Sequence, residues 1–351
     1  MNLCVLFGGI SPEHEVSLRS AESVLNHLNH EKYNIFPVGI TKEGQWYYYP
    51  GKDYASLPAN TWREAPGVCP AAISPVRGQG LLLWRGGGVE AVKIDCVFPV
   101  LHGENGEDGS IQGLMQIAGI PCVGPGVSAS ASCMDKTLTK LLVSETDVRQ
   151  ANWYLARRES IEKRMDRLVR DIEQGGSYPL FVKPAGTGSS VGVSKVNCRE
   201  ELEKALHLAA RYDSKVLVEE FIHGHEVEVA VLGNESPVAS VVGEILAGAE
   251  FYDYDAKYNS EESRTVIPAE ISESAAQALR DAAVTVYKAM GCRGMSRVDF
   301  FLTYEGEEVV FNEINTLPGF TSISMYPKLF EASGIPYENL LDELIRLAME
   351  A

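Results

Sequence analysis

The chain has 351 residues, 45% of them hydrophobic and 23% charged, with a formal net charge of −17. That length exceeds one ordinary domain, so two or three packed units are expected, with cores large enough to need no disulfide or metal staple. The acidic balance excludes a sequence-independent grip on nucleic acid, which needs a basic surface; it serves solubility and leaves any anionic substrate to a few well-placed cations.

Strand and helix patterns alternate along the chain. Leu3 to Phe7 reads as a buried strand ended by Gly8-Gly9, and Leu18, Ala21, Leu25 and Leu28 then recur at helical spacing. The opening MNLCVLFGG has no basic flank and too short an apolar run for a signal peptide or a membrane span. Tyr33 to Ile40 is a second strand. Residues 41–92 are irregular, with weak hairpin signals at Trp46–Tyr49 and Leu81–Trp84, and are read as an insertion. Ile94 to Leu101 is a third strand, followed by a polar loop from His102 to Gly109 and a helix carrying Ile111, Leu114, Met115 and Ala118. Such alternation implies a mainly parallel sheet. A first unit then ends near Pro125.

In the middle of the chain a helix starts near Asp135 and another covers roughly 159–174. The strand Leu180–Lys183 enters a Gly/Ser loop and returns as Val193–Val196; Asn197 with Glu200 suggests a capping box, and Lys215–Glu220 is a strand. The last part has strands at Glu226–Leu232 and Val238–Glu244, a long loop from Ile245 to Thr265, and a helix with Leu279, Ala282, Val286, Tyr287 and Met290 on one face. Strands Arg297–Thr303 and Glu308–Asn315 flank a short turn, and a terminal helix closes the chain. Seven cysteines, at 4, 69, 96, 122, 133, 198 and 292, include no CxxC pair. An odd count without that spacing argues against a disulfide framework and a structural zinc site, and fits a reducing cytoplasm.

Five features carry chemistry. Glu313 and Asn315 lie two apart on one strand and so share a face, and Asp299 sits on the strand paired with it. The three oxygens suit hard Mg²⁺, or else form the polar outer face of a hairpin. The loop from Lys183 to Gly192 offers glycines, serines and a lysine to phosphates, or is a plain hairpin loop. It lacks the lysine of a Walker A loop and leads to a strand rather than to the helix of a dinucleotide site. Lys136 is either a surface lysine or an anion ligand near a helix start, and Arg297 either pairs with carboxylates or clamps a phosphoryl oxygen. His102, at a strand end, reads equally as a polar cap or a substrate donor.

In combination the motifs become specific. FGGISPEHEVSLRSA at 7–21, LHGENGEDGSIQG at 101–113, MDK at 134–136, VKPAGTGSSVGVSKV at 182–196, EEFIHGHEVEVAVLG at 219–233, FYDYDAKY at 251–258, GMSRVDFF at 294–301 and FNEINTLPGFTSISMYP at 311–327 occur in this order. They resemble the D-alanine–D-alanine ligase family of ATP-grasp enzymes almost end to end, with 41–92 the least informative stretch.

The resemblance implies an α/β, three-domain ATP-grasp fold with an N-terminal Rossmann-like parallel-sheet domain at 1–125, a central domain at 126–222 and a C-terminal metal-binding domain at 223–351. ATP is the implied co-substrate, with Lys136 and Lys183 on its phosphates, Glu219, Glu220 and Ile222 along the adenine and Glu226 on the ribose. Asp299, Glu313 and Asn315 would hold two Mg²⁺, with Mn²⁺ as a substitute. Glu13 would meet the ammonium of the first D-alanine, beside His102. Lys257 and Ser324 would meet the carboxylate of the second, and Arg297 and the Gly319 amide the oxyanion. Ser189 and Tyr258 would join Glu13 in a hydrogen-bonded group, and the 245–265 loop would close over the site. The implied activity is ATP-dependent joining of two D-alanines through an acyl phosphate, for peptidoglycan precursors, by a cytoplasmic homodimer without membrane or nucleic-acid partners.

The second substrate is the open point, with D-serine and D-lactate as alternatives to D-alanine. Met325 either walls the second subsite with a soft apolar group suited to a methyl, or merely fills core space. Relatives of the glycopeptide-resistance type resemble SRYP where this chain has SMYP. A nucleotide-binding module without catalysis would need gaps in the metal and phosphate sets, and none is evident. A nicotinamide oxidoreductase is disfavoured because Gly8-Gly9 lacks the GxGxxG spacing.

Overall fold

The computed structural model describes residues 1–188, 191–246 and 264–350. Among these the strands form three sheets, of seven, four and five strands. In the first, β1 (Asn2–Gly8) runs into α1 (His14–His27) and β2 (Asn34–Ile40); β3 (Trp46–Tyr48), β4 (Cys69–Ile73), β5 (Leu81–Arg85), β6 (Gly88–Val92), β7 (Cys96–Leu101) and α2 (Ser110–Ala118) follow. β1 lies parallel to both β2 and β7. Leu3 to Phe7 are wholly buried, as a parallel strand covered on both faces requires.

Residues 41–92 depart from the reading as an irregular insertion. β3 to β6 extend the same sheet in the order β6-β5-β4-β3-β2-β1-β7, with antiparallel pairing throughout the added part. The sheet is therefore mixed, with a parallel core and an antiparallel wing. These strands are only three to five residues long, too short for an alternating pattern to stand out. One local signal was present. Gly86 and Gly87, at φ +60° and +78°, turn the β5–β6 hairpin in two residues, a left-handed pair that glycine adopts without strain.

α3 (Val127–Met134) and α4 (Lys136–Val143) are separate helices. Asp135 leaves helical geometry between them, and its carboxylate accepts hydrogen bonds from the Thr137 and Leu138 amides to cap α4. β8 (Trp153–Arg157), α5 (Arg158–Lys163), α6 (Met165–Gly175), β9 (Leu180–Pro184), β10 (Ser194–Val196), α7 (Arg199–Tyr212) and β11 (Lys215–Glu220) form the second unit of sheet and helices, with an antiparallel strand order β10-β9-β11-β8. The single helix expected over 159–174 is broken at Arg164. The helix start expected at Asn197 also shifts: Cys198 holds the cap position of α7, and the Asn197 amide donates to Glu201, not Glu200.

The third sheet is antiparallel, ordered β14-β13-β12-β15-β16. It consists of β12 (Gly224–Gly233), β13 (Val238–Leu246), β14 (Arg264–Val266), β15 (Gly294–Thr303) and β16 (Val309–Asn315), with α8 (Glu273–Ala289) before β15 and α9 (Met325–Ala332) and α10 (Tyr337–Met349) at the end. α8 packs Leu279, Ala283 and Val286 against Val227, Val229, Val298 and Phe300 on one face. On the opposite face Ala230, Leu232 and Ile245 pack against the C-terminal helices, and polar residues occupy the rest. No described helix is long and apolar enough to cross a membrane.

The C-terminal helices close the molecule on the first sheet. Phe320 is buried, with its ring 5.9 Å from Phe98 of β7 and 5.6 Å from Tyr326. Its amide donates to Ser20 of α1, and Tyr337 donates to its carbonyl. One residue thus joins β7, α1, α9 and α10. Phe320→Ala leaves a ring-sized cavity at that junction and lowers stability by about 3–5 kcal/mol, read as a shift of the urea unfolding midpoint; an unchanged midpoint would remove Phe320 from this role.

Candidate active site

The polar face of the third sheet is organised by register. Glu228 of β12, Asp299 of β15 and Glu313 of β16 lie directly opposite one another across three adjacent strands. Arg297 and Asn315 form the next pair along β15 and β16. Between Asp299 and Phe300 the pairing slips by one residue, so Asn312 is extra on β16 and forms a bulge. Both Asn312 and Glu313 consequently line the cleft beside this hairpin.

Three carboxylates in one row repel, and Arg297 holds them. Its guanidinium reaches both oxygens of Asp299, at 2.7 and 2.6 Å, and Glu228 at 3.0 Å. Asn315 donates through Nδ2 to Asp299 at 3.0 Å. Burial works against the Arg297 charge, but Asp299 and Glu228 more than offset it, and its pKa stands well above the ordinary arginine value. Glu228 escaped the sequence reading; as the residue two beyond Glu226 on a strand, it was placed to face the same way.

The facing wall comes from α4 and the glycine loop. Lys136, the first residue of α4, donates from Nζ to the Thr187 carbonyl at 2.8 Å and stands 3.8 Å from Glu313. Lys140, one turn later, is also in the wall of the cleft that faces the hairpin. Lys140 is buried and approaches Glu219 Oε1 at 2.5 Å, while Lys183 of β9 contacts the other oxygen. Burial alone would raise the Glu219 carboxyl, yet Lys183 and Lys140 prevail and hold it below the usual range. Lys140 was missed because the sequence scan stopped at Lys136; the i, i+4 spacing on one helix was the available signal.

At the other end of the cleft Glu13 is buried beneath two loops. A Cβ on Gly103 would sit 3.1 Å from Glu13 Oε2, and one on Gly188 would sit 3.6 Å from the same oxygen. The left-handed backbone of Gly103 (φ +67°) therefore allows the loop after β7 to come this close. Glu107, in the same loop, accepts from the Gly103 amide at 2.7 Å and also lines the cleft. His102 Nε2 is 3.2 Å from Ser20 Oγ. Gly319 and Ser324 are brought together as well: a Cβ on Gly319 would lie 2.7 Å from Ser324 Oγ, which accepts from the Thr321 amide at 2.9 Å.

Known proteins match this chain over nearly its whole length. The family described as "D-ala D-ala ligase N-terminus" matches residues 2–125, and "D-ala D-ala ligase C-terminus" matches 142–346. A D-alanine–D-alanine ligase of Acetivibrio thermocellus is 49% identical, covering 99% of this chain and 95% of its own length. The chain belongs to the D-alanine–D-alanine ligase family. Among solved structures, the VanG D-Ala:D-Ser ligase of Enterococcus faecalis is 43% identical with a TM-score of 0.90, covering 99% of both chains. The D-alanine–D-alanine ligase of Coxiella burnetii is 37% identical with a TM-score of 0.85, covering 100% of this chain and 94% of its own.

The residues expected at the site from the family likeness are placed as follows. Lys136, Glu313 and Asn315 line one cleft, and Asp299 and Arg297 lie behind them in the same row. Lys183 and Glu219 meet at the cleft floor, while Glu220 faces Asn152 and Arg149, Ile222 is buried with Ala151 and Val310, and Glu226 is half-buried farther along β12. Met325 is buried in the core with Leu329, and a Cβ on Gly243 would collide with its Cε. Ser189, Lys257 and Tyr258 lie outside the described residues, as does the expected closing loop apart from its ends in β13 and β14.

The Glu219 cluster carries a pH signature. Its folded pKa lies below the unfolded value, so its stabilisation is complete above about pH 4.3 and is lost as pH falls through the folded value. Glu219→Gln removes that loss and also strands Lys140. Urea midpoints are expected to fall at neutral pH and to lose part of their decline below about pH 4.5. An acid limb as steep as that of the parent would refute the pairing.

Proposed function

We propose that the protein is an ATP-dependent ligase that joins two D-alanines into D-alanyl-D-alanine for peptidoglycan precursor synthesis, releasing ADP and phosphate. The observation that carries this reading is a cleft where Lys136 faces Glu313 and Asn315, within a chain that matches D-alanine–D-alanine ligases from end to end. Lysines on one wall suit the phosphates of a nucleotide, and the acidic hairpin suits the cations that accompany them. In this reading the chain divides at residues 125 and 222 and acts as a cytoplasmic homodimer.

The family likeness suggests a role for each site residue. Lys136 and Lys183 meet phosphate oxygens, Glu219, Glu220 and Ile222 flank the adenine, and Glu226 takes the ribose. Glu13, beneath Gly103 and Gly188, holds the ammonium of the first D-alanine, with His102 beside it and Ser189 and Tyr258 as partners. A carboxylate oxygen of that substrate attacks the γ-phosphorus, the bond to the ADP oxygen breaks, and D-alanyl phosphate forms. The amine of the second D-alanine, whose carboxylate meets Lys257 and Ser324, attacks the acyl carbon and loses a proton as phosphate departs. Arg297 and the Gly319 amide face the oxyanion of that step.

The hairpin residues fit hard divalent cations. Asp299 and Glu313 are paired across the strands, and Asn315 spends Nδ2 on Asp299, which leaves its carbonyl oxygen as a neutral ligand. Two Mg²⁺, or Mn²⁺ in their place, would be held there and would neutralise phosphate charge. Glu313→Gln is expected to lower turnover by about a hundredfold or more with unchanged circular dichroism, the order seen when a charge-stabilising group is removed. Parent-like turnover would take Glu313 out of the site.

A second reading, D-alanine–D-serine ligation, rests on the Enterococcus faecalis D-Ala:D-Ser ligase, which matches at a TM-score of 0.90. An apolar group such as Met325 near the second subsite discriminates against an added hydroxyl by only about 10²-fold or less. With ATP and equal D-alanine, D-serine and D-lactate, mass spectrometry is expected to find chiefly D-alanyl-D-alanine. Excess D-alanyl-D-serine would favour the second reading, and no phosphate release with any of them would reject a ligase.

A further inference from the structure

The cluster at the cleft floor is unbalanced. Two ammonium groups, Lys140 and Lys183, share one carboxylate, Glu219, and the three groups carry a formal charge of +1. The two lysines are not equivalent. The Lys140 side chain is 2% exposed and that of Lys183 is 12%. Lys140 rises from α4, whose capped start fixes its position, whereas Lys183 stands where β9 enters the glycine loop. Lys140 lines the cleft, while its Nζ is buried and among the described residues has the Glu219 carboxylate as its one ion partner.

We propose that Lys140 is a positioning residue for nucleotide binding: it is the fixed counter-cation of Glu219 that frees Lys183 to leave that carboxylate for the phosphates. The proposal rests on the nucleotide reading of this cleft. Glu219 is 5% exposed, and a buried carboxylate without a cation is strongly disfavoured. With Lys140 in place, Lys183 can move and Glu219 stays paired. Without Lys140, the same movement strands the carboxylate, and Lys183 remains bound to it. The two like charges also oppose each other. Burial pushes the Lys140 ammonium below the ordinary lysine value, Glu219 resists that shift and Lys183 adds to it. Transfer of Lys183 to a phosphate relieves this repulsion, so the arrangement favours an anionic ligand over an empty cleft.

The test compares ATP with adenosine, which has no phosphates, by calorimetry on the full chain. Lys140→Met is expected to weaken ATP binding by about tenfold or more, the worth of one charge-assisted contact, and adenosine binding by less than about threefold. Neutralising the carboxylate as well releases Lys183, so in Lys140→Met/Glu219→Gln the ratio of ATP to adenosine affinity, which cancels any effect at the adenine, should recover most of its loss. A merely structural lysine would weaken both ligands alike and show no recovery. Should the single variant not fold, Glu219→Gln serves as the reference, since neither it nor the double variant leaves a buried carboxylate without a cation. In that background removing Lys140 should change ATP affinity by less than about threefold, and a tenfold loss would mean that Lys140 itself touches the nucleotide and would overturn the proposal. ATP binding by Lys140→Met equal to the parent's would also overturn it. A parent protein that bound no ATP would instead overturn the nucleotide reading.

Discussion

Everything at the hairpin depends on one guanidinium. Glu228, Asp299 and Glu313 stand in a row across three strands, an alignment in which like charges destabilise a sheet. Arg297 makes it tenable by engaging Asp299 through two nitrogens and Glu228 through one of them. An arginine suits this place better than a lysine, because its planar fork meets two carboxylates in fixed directions and keeps its charge when buried. The same contacts draw Asn315 toward Asp299 and leave Glu313, at the end of the row, turned to the cleft and Lys136. The row thus carries its one cation at the buried end, among Glu228 and Asp299, and is acidic at its open end.

The cleft floor repeats the problem with the signs reversed. There a single carboxylate faces two ammonium groups, and positive charge is in surplus. An acidic hairpin on one side and a basic floor on the other give the cleft an internal polarity that the overall charge of −17 does not suggest. Local placement, rather than the net field, decides where an anion can go.

How much of this the sequence revealed depended on the length of the signal. The opening strand, with five consecutive buried residues, and α8, with a full helical stripe, were legible because periodicity accumulates over such spans. Of strands β3 to β6 only β3 and β5 left a trace, the weak signals at Trp46–Tyr49 and Leu81–Trp84, since each strand is short and their pairing is a tertiary matter. The sharing of a face by Glu313 and Asn315 followed from strand alternation, but the bulge at Asn312 is a property of pairing and leaves no mark in the pattern. Lys140 and Glu228 were hidden for another reason. Each pairs with a residue far away in sequence, and a buried lysine looks like a surface lysine until the partner is in place.

The packing of the last helix on the first sheet has a consequence for synthesis. Leu340, Leu341, Leu344 and Ile345 of α10 share one core with Leu3, Val5, Phe7 and Leu18, and Asp342 receives hydrogen bonds from Lys32 and Tyr33. A chain leaving the ribosome presents its first strands long before residues 337–349 have been made. Part of that apolar face therefore waits, uncovered, through most of translation, and is a natural place for a chaperone to bind the nascent chain.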